Sequence, residues 1–163
     1  MTLPEILSSE ICSGKVTVII GRPGSGKTTV GLLIAEQKQE CRLWHTDDYI
    51  PYGGVDGLYQ MMAEMEEDGY QSPAIIEGVG AYRLLRKGAE LGVFYPDAVI
   101  ELIVTDEQVE RVYTKERDAA KLKKMPGFVK GLETVLAGYR QIMSVRELEG
   151  RTPPVWMRVQ NDF

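Results

Sequence analysis

The sequence predicts an α/β fold, a three-layer sandwich around a mostly parallel sheet, and three observations carry that prediction. Short apolar runs rich in β-branched residues alternate with segments of helical period. The first of these runs, Val16–Ile20, leads straight into the glycine-rich stretch Gly21-Arg22-Pro23-Gly24-Ser25-Gly26-Lys27-Thr28. Connections between parallel strands are right-handed, and with such a loop after the first strand this favours five strands in the order 2-3-1-4-5.

Each element follows from local pattern. Val16–Ile20 is the first strand, and Lys27–Gln39 is a helix with Val30, Leu33 and Ile34 as its apolar stripe. Arg42–Thr46 is a short second strand. Asp56 caps a helix whose apolar positions are Leu58, Met61, Met62 and Met65. Ala74–Glu77, preceded by Pro73, is the third strand, and a helix begins near Ala81. Ala98–Val104 is the fourth strand, after which Thr105 and Gln108 form a capping box for a helix through Val109, Val112 and Tyr113. Met125-Pro126-Gly127 is expected to interrupt the chain. A long helix follows, with Val129, Leu132, Val135, Leu136, Tyr139, Ile142 and Met143 on one face. Val155–Val159, after Pro153-Pro154, is the fifth strand.

Composition narrows the function classes. The 163 residues fit one compact domain spanning 1–163, without a linker or second core. No run reaches the length of a membrane span, and the first residues lack the basic and apolar regions of a signal peptide, so a cytoplasmic chain is expected. Cys12 and Cys41 have no metal-ligand spacing and are expected to stay reduced. His45 is the single histidine, which excludes His-based metal clusters. The net charge is −5, yet Arg111, Lys115, Arg117, Lys121, Lys123, Lys124 and Lys130 crowd one segment against only Glu116 and Asp118. The acidic remainder argues against a broad nucleic-acid footprint but allows a local contact.

The glycine-rich stretch completes the pattern G-x-x-x-x-G-K-[ST] between a strand and a helix. Gly21, Gly24 and Gly26 let the backbone curl so that successive N–H groups point at a polyphosphate. Gly21 through Thr29, with Arg22, Pro23 and Ser25 in the loop, is therefore the expected cradle for ATP or GTP. Lys27 reaches the β- and γ-phosphates, the Thr28 hydroxyl binds Mg²⁺, and the helix N-terminus favours the anion.

In a sheet of this kind, ligands gather beyond the carboxyl ends of the strands. After the second strand stand Asp47, Asp48 and Tyr49. Phosphoryl transfer to a hydroxyl needs a carboxylate that takes the acceptor's proton and carboxylates that organise Mg²⁺, and the spacing leaves open which Asp does which. After the third strand stands Glu77, placed for Mg²⁺ and its water. Arg83 and Arg86 follow as candidate grips on the acceptor. Residues 115–127 form an expected basic lid, with Arg117 and Lys121 brought to the moving phosphoryl group and Met125-Pro126-Gly127 as its far hinge. Asn161 and Asp162 are expected beside the nucleotide base. Tyr49, Tyr52, Tyr82 and Tyr95 offer a candidate stacking surface.

The series Gly21–Thr28, Asp47-Asp48-Tyr49, Ile76-Glu77-Gly78 and Arg117-Asp118 resembles the uridine kinase and related small P-loop kinases. That resemblance implies Asp47 as catalytic base and Glu77 near metal and acceptor, and it fits the use of ATP with Mg²⁺; Asp48, from its place beside Asp47, is the further candidate for metal and substrate. Lys115 and Glu116 stand where that family carries further arginine. In overall build the chain is also similar to phage-type P-loop kinases that phosphorylate the hydroxymethyl group of 5-hydroxymethyluracil in DNA, which makes that base the preferred acceptor. A free nucleoside or another small hydroxyl compound is the alternative. Outside the kinases stand an NTP-hydrolysing machine, which needs a water-positioning group and usually a longer sensor region, and a nucleotide-gated binding module, which does not need Asp47.

Overall fold

The computed structural model describes residues 2, 4–5, 16–37, 41–52, 54–68, 73–115 and 119–161. Val16–Ile20 (β1) is buried along its whole length, as an apolar strand covered on both faces must be. It pairs in parallel with Ala74–Glu77 (β3) on one side and Ala98–Ile103 (β4) on the other. Arg42–His45 (β2) and Val155–Gln160 (β5) complete a five-stranded parallel sheet, β2-β3-β1-β4-β5. This is the order expected from the sequence.

Two helical layers cover the sheet. On one face Ile19, Ile75, Ile100, Leu102, Met157 and Val159 pack with Val30 and Ile34 of α1, Lys27–Gln37. On the other face Val18, Ile20, Ile76 and Val99 share a cluster with three helices. These are α2 (Gly54–Glu67), through Leu58, Met61 and Met65, α3 (Ala81–Leu91), through Leu84 and Leu85, and α5 (Ala119–Leu148), through Leu132, Leu136, Tyr139 and Met143. A smaller cluster of Val104, Val109, Tyr113 and Met125 joins α4 (Asp106–Lys115) to the first turns of α5. The register sets the working end of the sheet: Glu77 stands opposite Ile19 of β1 and opposite His45 of β2.

Several boundaries differ from the sequence expectation. The Met125-Pro126-Gly127 interruption is absent, because Pro126 lies inside the continuous α5. Proline removes one helical hydrogen bond and costs about 3 kcal/mol in a helix interior. Here Met125 is buried, Leu122 and Val129 pack on either side of Pro126, and this burial carries the helix through. The expected lid, 115–127, is therefore the last residue of α4 and the opening turns of α5, with 116–118 outside the described residues. The second strand ends at His45, and Thr46–Tyr52 winds into a 3-10 turn. Gly54 opens α2, which leaves Asp56 in its first turn rather than at its cap. Cys12 and Asp162 lie outside the described residues.

Candidate active site

The glycine-rich loop is shaped by its own backbone and braced from behind. Gly24 and Gly26 adopt φ of 78° and 86°, values that favour glycine. A Cβ on Gly26 would stand 2.6 Å from the Asn161 side-chain nitrogen. That nitrogen donates to the Ser25 carbonyl at 2.8 Å, and Gln108 Nε2 donates to the Asn161 carbonyl at 2.9 Å. Gln108 also completes the expected capping box, accepting from Thr105 N–H at 2.7 Å. Asn161 thus holds the loop, whereas the sequence reading placed it at the nucleotide base.

Lys27, the first residue of α1, is 7 % exposed. Its Nζ donates to the carbonyls of Gly21 and Arg22 at 2.8 and 3.0 Å. Burial lowers its pKa from the ordinary 10.5 to about 8, against the opposing charges of Glu77 and Asp47. Thr28 and Thr29 follow with exposed side chains. Arg22 turns outward, and its guanidinium pairs with Asp106 at the start of α4 at 2.7 Å.

Glu77 is a buried carboxylate at the end of β3. Thr28 Oγ1 donates to its Oε1 at 3.2 Å, and His45 Nδ1 lies 2.5 Å from the same oxygen. Gly78 turns the chain at φ 127°, where any Cβ would overlap the Thr46 hydroxyl. That hydroxyl accepts from Gly80 N–H at 3.2 Å. Thr46 therefore ties the 3-10 turn to the segment after β3, and Asp47 comes to stand next to the loop. His45 is the site residue that sequence reasoning passed over. Its signal was its place as the last residue of a strand that pairs with the strand of Glu77.

Asp47 lines a cavity of about 410 Å³. The 3-10 turn contributes Thr46, Asp47 and Tyr49, α2 contributes Leu58, the segment leading into α3 contributes Val79 and Gly80, and α3 contributes Arg83. Gly127, Phe128, Gly131, Leu132 and Val135 of α5 close it. Asp48 is exposed and does not line the cavity. Tyr49 donates to Glu64, and burial, that hydrogen bond and nearby negative charge raise its pKa. The expected stacking surface does not assemble. Tyr82 is buried in the core, Tyr95 packs under the Arg151 guanidinium, and the Tyr52 side chain is outside the described residues. Arg86 packs against Gly138 of α5, away from this cavity.

A neighbouring groove of about 320 Å³ runs along the phosphate loop, lined by Pro23, Tyr113, Lys121, Lys124, Met125 and Phe128. Lys121 is thus placed beside the loop, and Phe128 borders both spaces. Arg117 lies outside the described residues. Among the described residues no group of three or more His, Cys, Asp or Glu side chains is arranged to hold a metal ion. Nucleotide-bound Mg²⁺ does not need one, since it takes one or two protein oxygens and fills its shell with phosphate and water. The Thr28 hydroxyl beside the buried Glu77 carboxylate fits that demand. No helix among the described residues is long and apolar enough to cross a membrane.

No model of a known protein family matches the chain, and no curated protein matches it in sequence. Among solved structures it is similar to shikimate kinase from Acinetobacter baumannii in complex with shikimate. The TM-score is 0.50 at 13 % identity, over 91 % of this chain and 83 % of that one. The shared feature is the fold, an α/β sandwich around a parallel sheet.

Proposed function

We propose that this chain is an ATP-dependent kinase that transfers the γ-phosphoryl group, with Mg²⁺, to a hydroxyl of an acceptor held between the 3-10 turn and α5. One observation carries the reading: Asp47 lines the cavity and is near enough to Lys27 for its charge to act on the ammonium. A carboxylate thus stands between a phosphate cradle and a space for an alcohol.

The loop amides from Gly21 to Thr29 and the Lys27 ammonium hold the triphosphate. Thr28 and Glu77 would hold Mg²⁺, which supplies neutralising charge at the β- and γ-phosphates. Asp47 takes the proton of the acceptor hydroxyl as its oxygen forms the new bond to phosphorus. The bond from phosphorus to the β-phosphate oxygen breaks, and ADP leaves. Arg117 and Lys121 screen the charge in transit, and Arg83 steadies the acceptor. Asp48, exposed next to Asp47 in the 3-10 turn, supports the water around the metal.

The apolar walls of the cavity, with Leu58, Val79, Phe128 and Val135, suit a flat ring better than a strongly hydrated sugar. This supports a nucleoside-like acceptor, of which the 5-hydroxymethyl group of 5-hydroxymethyluracil in DNA is the preferred candidate. A base swung out of the stack would enter the cavity, while Lys124 meets backbone phosphate. Incubation with γ-labelled ATP and a panel of nucleosides, nucleotides, plain DNA and hydroxymethyluracil DNA tests the reading. Label is expected in the hydroxymethyluracil DNA; label in a free nucleoside moves the acceptor, and label only in inorganic phosphate overturns the kinase.

A further inference from the structure

We infer that His45 is a positioning residue: it fixes the Glu77 carboxylate so that its second oxygen faces the Mg²⁺–nucleotide site. The inference rests on the reading of the loop and Glu77 given above, but not on any acceptor. His45 closes β2 directly opposite Glu77 in the register, so the two side chains leave the same face of the sheet. A carboxylate only accepts, so His45 Nδ1 carries the proton and donates to Oε1, at 2.5 Å.

The Glu77 side chain is 3 % exposed, and water does little to orient it. Among the described residues, its hydrogen bonds, from His45 and from Thr28, fall on Oε1. Oε2 is the oxygen left for the metal or its water. Thr28 is itself a proposed metal ligand, and its bond is the longer, 3.2 Å. An orientation set by Thr28 alone would shift with the metal. His45, anchored at a strand end, gives the carboxylate a reference that does not. Partners of this kind, one step out from a metal, cost about 10–100-fold in metal affinity when removed.

The test is calorimetric binding of the non-hydrolysable ATP analogue AMP-PNP, with and without Mg²⁺, to the wild type and to His45→Ala, His45→Gln and His45→Asn. Asn offers an N–H close to the place of Nδ1, whereas Gln offers one nearer Nε2. Metal-free affinity is expected to stay within about twofold in all four. The gain from Mg²⁺ is expected to fall about tenfold or more in His45→Ala and His45→Gln and to return in His45→Asn. If His45→Ala does not fold, the contrast between Asn and Gln decides. An unchanged or larger Mg²⁺ gain in His45→Ala, or a His45→Asn no better than His45→Gln, overturns the inference while leaving the nucleotide site standing. A wild type that binds no nucleotide overturns both, and one that binds it without a Mg²⁺ effect overturns the inference and the metal role of Glu77.

Discussion

The Asn161 side chain donates to the Ser25 carbonyl at 2.8 Å, so the end of β5 holds the crown of the phosphate loop from the inside. The bond joins residues 136 positions apart and is buried, which makes its loss costly. A buried hydrogen-bonding group left without its partner costs about 1–3 kcal/mol. Asn161→Ala is expected to lower stability by that amount in chemical denaturation and to weaken AMP-PNP binding about tenfold. Gly26→Ala meets the same nitrogen at 2.6 Å and a φ of 86°, so it is expected to abolish binding. A Gly26→Ala protein with wild-type affinity would show that the loop does not work in this shape.

Lys27 carries a pH signature. Its pKa falls from 10.5 to about 8, mainly through burial. Below pH 8 both the folded and unfolded chains hold the proton, so the penalty of burying the cation is fully present. Between pH 8 and 10.5 the folded chain has released it and the unfolded chain has not, so stability rises with pH. The full span is worth about 3 kcal/mol at 1.36 kcal/mol per unit. Denaturation curves for wild type and Lys27→Met, compared from pH 7 to 10.5, isolate this group. The wild type is expected to gain stability relative to the variant as pH rises. A flat difference would show that Lys27 is not held as a desolvated cation.

What the sequence revealed of this molecule was governed by range. Strand order and the loop were legible because they depend on short apolar runs and a dense local pattern. The Thr105–Gln108 capping box was equally local. The second task of Gln108, on Asn161, was not, since it joins the first turn of α4 to the distant end of β5. Pro126 and Gly127 read as a break because local propensity says so, and burial of Met125 overrode it. Tyr82 and Tyr95 were grouped with Tyr49 by residue type, but nothing in the sequence says which face of which element each tyrosine takes. His45 enters the sequence pattern only as the single histidine, although strand register alone brings it to Glu77.

Asp47 separates transfer from binding. Asp47→Asn keeps the shape of the side chain and removes the proton acceptor. A lost general base costs about 10²–10⁴ in rate, so label transfer to the acceptor is expected to fall by that factor. Nucleotide affinity is expected to stay within a few-fold, because the cradle is built from the loop. The Asp47 charge also raises the Lys27 pKa, so in Asp47→Asn the Lys27 transition is expected at lower pH. Unchanged transfer in Asp47→Asn would assign the base elsewhere.

Gly131 tests where the acceptor sits. Gly127 and Gly131 both line the cavity from α5, and a Cβ at either would meet nothing within 4 Å. Gly138, on the same helix, differs: its Cβ would lie 3.0 Å from the Arg86 guanidinium. Packing thus explains Gly138 and leaves Gly131 unexplained by the fold, where glycine in a helix costs about 1 kcal/mol relative to alanine. Gly131→Ala is expected to raise stability by roughly that amount. Gly131→Leu projects four more carbons from a wall of the cavity, and is expected to raise the acceptor KM about tenfold or more while leaving AMP-PNP affinity unchanged. Steady-state transfer assays and nucleotide titration on the same preparation read both numbers. If Gly131→Leu leaves the acceptor KM untouched, the hydroxyl substrate reaches Asp47 by a route other than this cavity.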